Sequence, residues 1–228
     1  MTPLLLGHRG VRSSRQIPEN TLASFELCLQ HGCDGFEFDV RQSADGQAVI
    51  CHDPTTRGMK IATTPSEELT LPTLEQVLEK FSSRAFLDIE LKVAGLEPQT
   101  LAALRNHPPQ KNYVVSSFLP EVLTALRNLD RTIPMGFLCE NAEQLASWPH
   151  ISSEWVIPHH KLADQSLVEL LHAAGKKIMV WTVNRAEQMR DLATWGADAI
   201  ISDQTELMVA SLRQSHHDHC SPHPRHLN

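Results

Sequence analysis

The segment GFEFDV, residues 35–40, alternates strictly: Phe36, Phe38 and Val40 fall on one face of a strand, Glu37 and Asp39 on the other. LDIELK, residues 87–92, repeats the pattern, with Leu87, Ile89 and Leu91 opposite Asp88, Glu90 and Lys92. The phenylalanine face calls for helices packed against it. The charged face is then directed inward, toward the mouth of a barrel. Two carboxylates held together on a strand repel one another unless a cation joins them. Adjacent strands lie about 5 Å apart, so acids from both segments can reach one ion.

Working outward, strand-like and helix-like segments alternate. Leaving out one hairpin return, eight candidate parallel strands begin near Leu4, Gly35, Phe86, Tyr113, Ile133, Trp155, Lys177 and Ala199. Helices are expected over 97–106, 120–129, 141–148, 165–174 and 185–195, with a last one from Glu206 to Arg213. An early helix carries Leu22, Phe25 and Leu29 at helical spacing, with Asn20 or Thr21 as its cap and Gly32 at its end. AVICH, ending at His52, follows the turn signal Asp45-Gly46 too closely for a crossover helix, so it should return antiparallel. Residues 53–73 hold three prolines and several threonines and are expected to form an irregular loop or lid. The expected fold is therefore a (β/α)8 TIM barrel with a β-hairpin and a short loop insertion after the second strand. Without a glycine-rich dinucleotide loop, an open doubly wound sheet is the weaker alternative.

In such barrels the active site lies at the C-terminal ends of the strands. His8, Asp39, Glu90, Lys92, Ser117 and Asp203 all fall there. Two imidazoles, His8 and His52, can pass a proton onto and off a leaving group near neutral pH. Oxygen-only carboxylates, Glu37, Asp39 and Glu90, suit a hard cation such as Mg²⁺ or Ca²⁺. Arg9 and Lys92 suit an anion. Together these residues describe hydrolysis of a phosphate ester. Trp181, near the end of its strand, offers an aromatic wall for a glycerol or alcohol group. His159 and His160 also end a strand and are read as rim residues. Ser117 and Asp203 belong to the vocabulary of serine hydrolases, but no GxSxG elbow accompanies them.

Composition bounds the partners. The 228 residues suffice for one sizeable domain, expected over 1–213. A net charge of −7 gives no general attraction to nucleic acid or to an anionic membrane. No stretch is long and apolar enough for a transmembrane helix. The five cysteines form no CxxC pair, and the N-terminus has no basic region before its short apolar run. A cytoplasmic protein is expected. The tail 214–228 has five histidines, one cysteine and two prolines without apolar periodicity, and is expected to be disordered.

GHRG at 7–10, PENT at 18–21, GFEFDV at 35–40, DGQAVICHD at 45–53, IELK at 89–92, VWTVN at 180–184 and GADAIISD at 196–203 resemble, in order and spacing, the glycerophosphodiester phosphodiesterase family. The resemblance runs from about residue 4 to 208. It implies a TIM barrel that hydrolyses glycerophosphodiesters to glycerol 3-phosphate and an alcohol. It implies His8 and His52 as the acid–base pair, Glu37, Asp39 and Glu90 as metal ligands, and Arg9 and Lys92 as phosphate ligands. Asp88 is outside that pattern and is assigned to the surroundings of the metal. The segment between His52 and Glu90 is shorter than is common in the family, which leaves the alcohol group open. Two other functions compete: a lysophospholipase D-type phosphodiesterase at a membrane surface, which would need an exposed apolar rim, and a non-catalytic barrel binding a phosphorylated ligand, which would be expected to lack one of the histidines or acids.

Overall fold

The computed structural model describes residues 2–213; the histidine-rich tail lies outside the described residues. Eleven strands run in chain order: β1 (Leu4–Gly7), β2 (Gly35–Gln42), β3 (Ala48–Ile50), β4 (Thr55–Thr56), β5 (Met59–Lys60), β6 (Phe86–Leu91), β7 (Tyr113–Ser117), β8 (Met135–Cys139), β9 (Trp155–Pro158), β10 (Lys177–Val180) and β11 (Ala199–Ser202). The helices are α1 (Leu22–Gln30), α2 (Ser66–Leu69), α3 (Leu74–Phe81), α4 (Glu97–Asn106), α5 (Pro120–Leu129), α6 (Ala142–Ala146), α7 (Gln165–Ala173), α8 (Ala186–Trp195) and α9 (Thr205–Arg213).

Strands β1, β2 and β6 through β11 pair in parallel, each with the next, and β1 pairs with both β2 and β11. The sheet therefore closes into an eight-stranded barrel, with helices between the strands. Closure leaves no free barrel edge and brings chain positions nearly two hundred residues apart side by side. No helix among the described residues is long and apolar enough to cross a membrane.

Side-chain alternation divides each strand between two environments. On the outer face of β2, Phe36 and Phe38 pack with Phe25 of α1 and Phe81 of α3; Phe25 and Phe36 stack at 4.3 Å between ring centroids. Inside the barrel, Leu6, Phe86, Val114, Trp155, Ile157, Met179 and Ile201 form a separate apolar cluster. The floor is set by Phe86 and Trp155, whose rings meet edge to face at 6.1 Å. Thr21 caps α1 by accepting from the Ser24 N–H, and Gly32 follows its end at φ +94°.

The differences from expectation are local. β8 begins at Met135 rather than Ile133, because Pro134 has no N–H to give to the ladder. α6 stops at Ala146, and a 3₁₀ turn, Trp148–His150, follows, since Pro149 has no N–H to continue the α-helical ladder. The expected antiparallel return is β3, paired with β2. The 53–73 segment is more ordered than an irregular loop. It contains the β4–β5 hairpin, a 3₁₀ turn at Ile61–Thr63 and α2. Ile61 and Leu69 anchor it by burying themselves with Val49 of β3.

Candidate active site

The GHRG segment leaves β1 through a tight turn, in which Arg9 has φ +52° and Gly10 φ +81°. A Cβ on Gly10 would stand 2.4 Å from Ser24 Oγ, so only glycine lets the turn seat on α1. The turn aims two side chains into the barrel mouth. His8 has Nδ1 2.7 Å from Asp203 Oδ1 and Nε2 3.9 Å from Glu37 Oε2. The Arg9 backbone N–H donates to Glu37 Oε2 at 3.0 Å, and its guanidinium lies 2.8 Å from Glu19 and 3.2 Å from Asp39. His52, just past β3, has Nδ1 2.8 Å from Asp53 Oδ1. Its main-chain carbonyl accepts from Arg41 Nε of β2. Each imidazole thus has a carboxylate on Nδ1, a contact that leaves Nε2 for other partners.

Below them, β2 and β6 run in register, Glu37 beside Asp88 and Asp39 beside Glu90. One carboxylate oxygen from each of Glu37, Asp39 and Glu90 lies within 4.8 Å of the others, and all three residues are buried. Three acids face two cations, Arg9 and Lys92. Lys92 Nζ stands 2.6 Å from Glu90 and 3.3 Å from Asp39. Buried Glu37 Oε1 accepts no hydrogen bond. An uncompensated acid oxygen in a hard, all-oxygen cluster fits a divalent cation, with Glu37, Asp39 and Glu90 as its holders.

The electrostatics follow from burial and charge. Burial and then the neighbouring Asp39 and Glu90 push the Glu37 carboxyl well above its ordinary range. Burial, followed by Asp39, takes Glu90 up to about 8. Asp39 goes the other way: burial opposes its charge, but Lys92, Arg9 and the Asn20 amide outweigh it and hold the carboxyl low. Lys92 loses by burial and gains more from Glu90 and Asp39, so its ammonium is strengthened. Burial lowers the His52 pKa, with Asp39 and Asp53 opposing.

A cavity of about 400 Å³ joins these groups. His8, Arg9, Glu37, His52, Glu90 and Lys92 line its charged side; Phe118, Leu138, Trp181 and Ile201 line the other, together with Glu140 and Gln144. Trp181 is pinned by its indole N–H to the Ile157 carbonyl at 3.0 Å and meets Phe118 edge to face. All eight expected site residues therefore gather at one mouth: seven line the cavity, and Asp39 lies buried in the acidic cluster beneath. Asp88 is fully buried in the barrel, where Ser116 donates to it at 2.6 Å and burial raises its carboxyl to about 7. Ser117 is structural, donating to the Leu91 carbonyl. His159 backs Trp181 at 5.2 Å, and neither it nor His160 lines the cavity.

Asp203 has a part that serine-hydrolase chemistry does not describe. It contacts His8 on one oxygen and accepts from the Asn184 amide at 2.7 Å on the other. The PENT segment supplies Glu19 to Arg9 and Asn20 to Asp39. Phe118, Leu138 and Ile201 carry no sequence signal that separates them from ordinary core.

The site is thus two acid-paired histidines above a carboxylate cluster, at the mouth of a parallel eight-stranded barrel. Residues 8–99 and 59–207 match the pattern of the Glycerophosphoryl diester phosphodiesterase family, and the chain belongs to that family. It is 28% identical over 244 residues to a glycerophosphodiester phosphodiesterase of Caldanaerobacter subterraneus, covering 94% of this chain and 99% of the relative. A phosphodiesterase of Oleispira antarctica, solved in complex with the product sn-glycerol-3-phosphate, superposes with a TM-score of 0.80 at 30% identity, covering 92% of this chain and 96% of the other. A glycerophosphodiester phosphodiesterase of Agrobacterium tumefaciens gives 0.79 at 28% identity, covering 92% and 99%.

Proposed function

We propose that this protein hydrolyses glycerophosphodiesters to glycerol 3-phosphate and an alcohol, using His8 and His52 as an acid–base pair and a divalent ion held by Glu37, Asp39 and Glu90. One observation carries this best: both imidazoles line the same cavity as Arg9 and Lys92, directly over the acidic cluster. The phosphate sits with its anionic oxygens toward Arg9 and Lys92. Mg²⁺ or Ca²⁺ bound at the cluster would add positive charge where negative charge grows on those oxygens. One histidine takes the proton of the attacking hydroxyl at Nε2; the other gives its Nε2 proton to the departing alkoxide. Asp203 and Asp53 fix the two rings through their contacts with Nδ1. The apolar wall around Trp181 takes up carbon skeleton and keeps water from one side of the phosphorus. The product named for the Oleispira relative agrees with this chemistry. The cytoplasm, where the cysteines would stay reduced, is the proposed compartment.

Release of glycerol 3-phosphate from a glycerophosphodiester, followed with and without EDTA, tests the proposal. Chelation should abolish turnover and added Mg²⁺ or Ca²⁺ should restore it. Full activity after exhaustive chelation would remove the metal from the scheme.

A further inference from the structure

A second cavity, of about 460 Å³, opens on the other side of His52. It lies between the PENT segment and the 53–73 lid, and His52 is the one residue that lines both cavities. Its wall mixes Ile50, Leu71 and Pro72 with the hydroxyls of Thr55, Thr56 and Thr70. Three charged side chains other than His52 face it: Glu19, Asp53 and Arg57. Glu19 is engaged by Arg9 and Arg12, and Asp53 by His52. Arg57 is different. Its guanidinium donates to Thr70 Oγ1 at 3.0 Å and, among the described residues, pairs with no carboxylate.

A phosphodiester has two arms. With phosphorus over the acidic cluster, the Trp181 wall of the first cavity offers room for one arm, and the cavity beyond His52 offers room for the other. We propose that the second cavity receives the leaving alcohol and that Arg57 makes it select alcohols bearing a carboxylate. This rests on the hydrolase function proposed above. The placement also divides the histidines. The attacking hydroxyl, of water or of the glycerol arm, forms the new P–O bond and gives its proton to His8. The P–O bond to the leaving alcohol breaks with its electron pair on oxygen, and that oxygen takes the proton from His52. A carboxylate on the departing arm then meets a planar guanidinium already fixed by Thr70, the geometry that suits bidentate recognition.

Two substrates isolate this contact. Glycerophosphoserine and glycerophosphoethanolamine differ only by the seryl carboxylate. The metal-supplied wild-type protein should favour the serine ester in kcat/KM. Arg57→Gln should lower that preference roughly five- to tenfold, carried by KM, as expected for a partly exposed charge-assisted pair. Arg57→Glu should reverse the preference, and Arg57→Lys should keep part of it. Arg185→Gln, which removes an exposed cation elsewhere, should leave the ratio unchanged, and melting temperatures check that each variant folds. Equal losses on both esters, or an unchanged ratio in Arg57→Gln and Arg57→Glu, would overturn the role of Arg57. No turnover of either ester by the wild-type protein would instead overturn the hydrolase function, and this assignment with it.

Discussion

The two arcs of the barrel mouth are built on opposite terms. Strands β1, β2 and β6, with the β3 return, direct His8, Arg9, Glu37, Asp39, Glu90, Lys92 and His52 inward. Strands β8 through β11 direct Leu138, Ile157, Met179 and Ile201 inward, with Trp181 just beyond β10. Burying charge is costly, and the charged arc meets that cost by mutual pairing: Lys92 between Asp39 and Glu90, Arg9 between Glu19 and Asp39. The apolar arc needs no such pairing and supplies shape. The charged groups thereby come from β1, β2, β3 and β6, with Asp203 after β11 contacting His8, while the remainder of the barrel is mostly apolar.

The contrast is broken most severely in the charged arc. His8→Ala and His52→Ala should each lower turnover by roughly 10²–10⁴-fold, the usual worth of a positioned acid or base. The double variant should lose less than the product of the two, as the proposed shared proton transfer sequence requires. Steady-state kinetics on a natural glycerophosphodiester measures this.

Asp203→Asn tests whether a positioning group behaves like the arc it serves. The asparagine can still contact the ring but carries no charge. Turnover should fall by about 10–10²-fold with KM little changed, a split a purely structural role would not give.

Trp181→Ala probes the apolar arc. Its effect should be smaller, about tenfold in kcat/KM, and carried by KM, since the wall contributes binding common to ground and transition states. A loss in kcat alone would erase the distinction between the arcs.

These arcs were not equally legible in the sequence. Glu37, Asp39, Asp88 and Glu90 announce themselves by alternating with phenylalanine, leucine and isoleucine, and a single period-two pattern gives both their strand and their face. Leu138 and Ile201 obey the same period but differ in nothing from buried core. His8 and Asp203 are 195 residues apart, and only closure of β1 on β11 brings them together. The lid escaped for another reason. Its elements are two to four residues long, too short for any periodicity to emerge.

The lid also gives the smallest expected effect. Asp45, in the β2–β3 turn, accepts from Ser43 and from the Ser66 amide and hydroxyl, tying α2 to the barrel. These bonds hold its carboxyl down at about 2, from an ordinary 3.8, Ser43 contributing most. A depressed folded pKa gives stability that is present in full above the unfolded value and is lost as pH falls through the folded one. The melting temperature of Asp45→Asn should therefore lie slightly below wild type near neutral pH, with the gap closing as pH drops from 4 toward 2. A gap that is constant with pH would exclude the ionised carboxylate as its cause.

The two-histidine mechanism is tested most directly by leaving-group rescue. A nitrophenyl ester of glycerol phosphate departs with little help from an acid, whereas a natural alcohol needs the proton. Turnover of His52→Ala on the nitrophenyl ester should return to near the wild-type rate, while His8→Ala stays slow on both substrates. Near wild-type turnover by both single variants on a natural glycerophosphodiester would contradict the acid–base pair altogether.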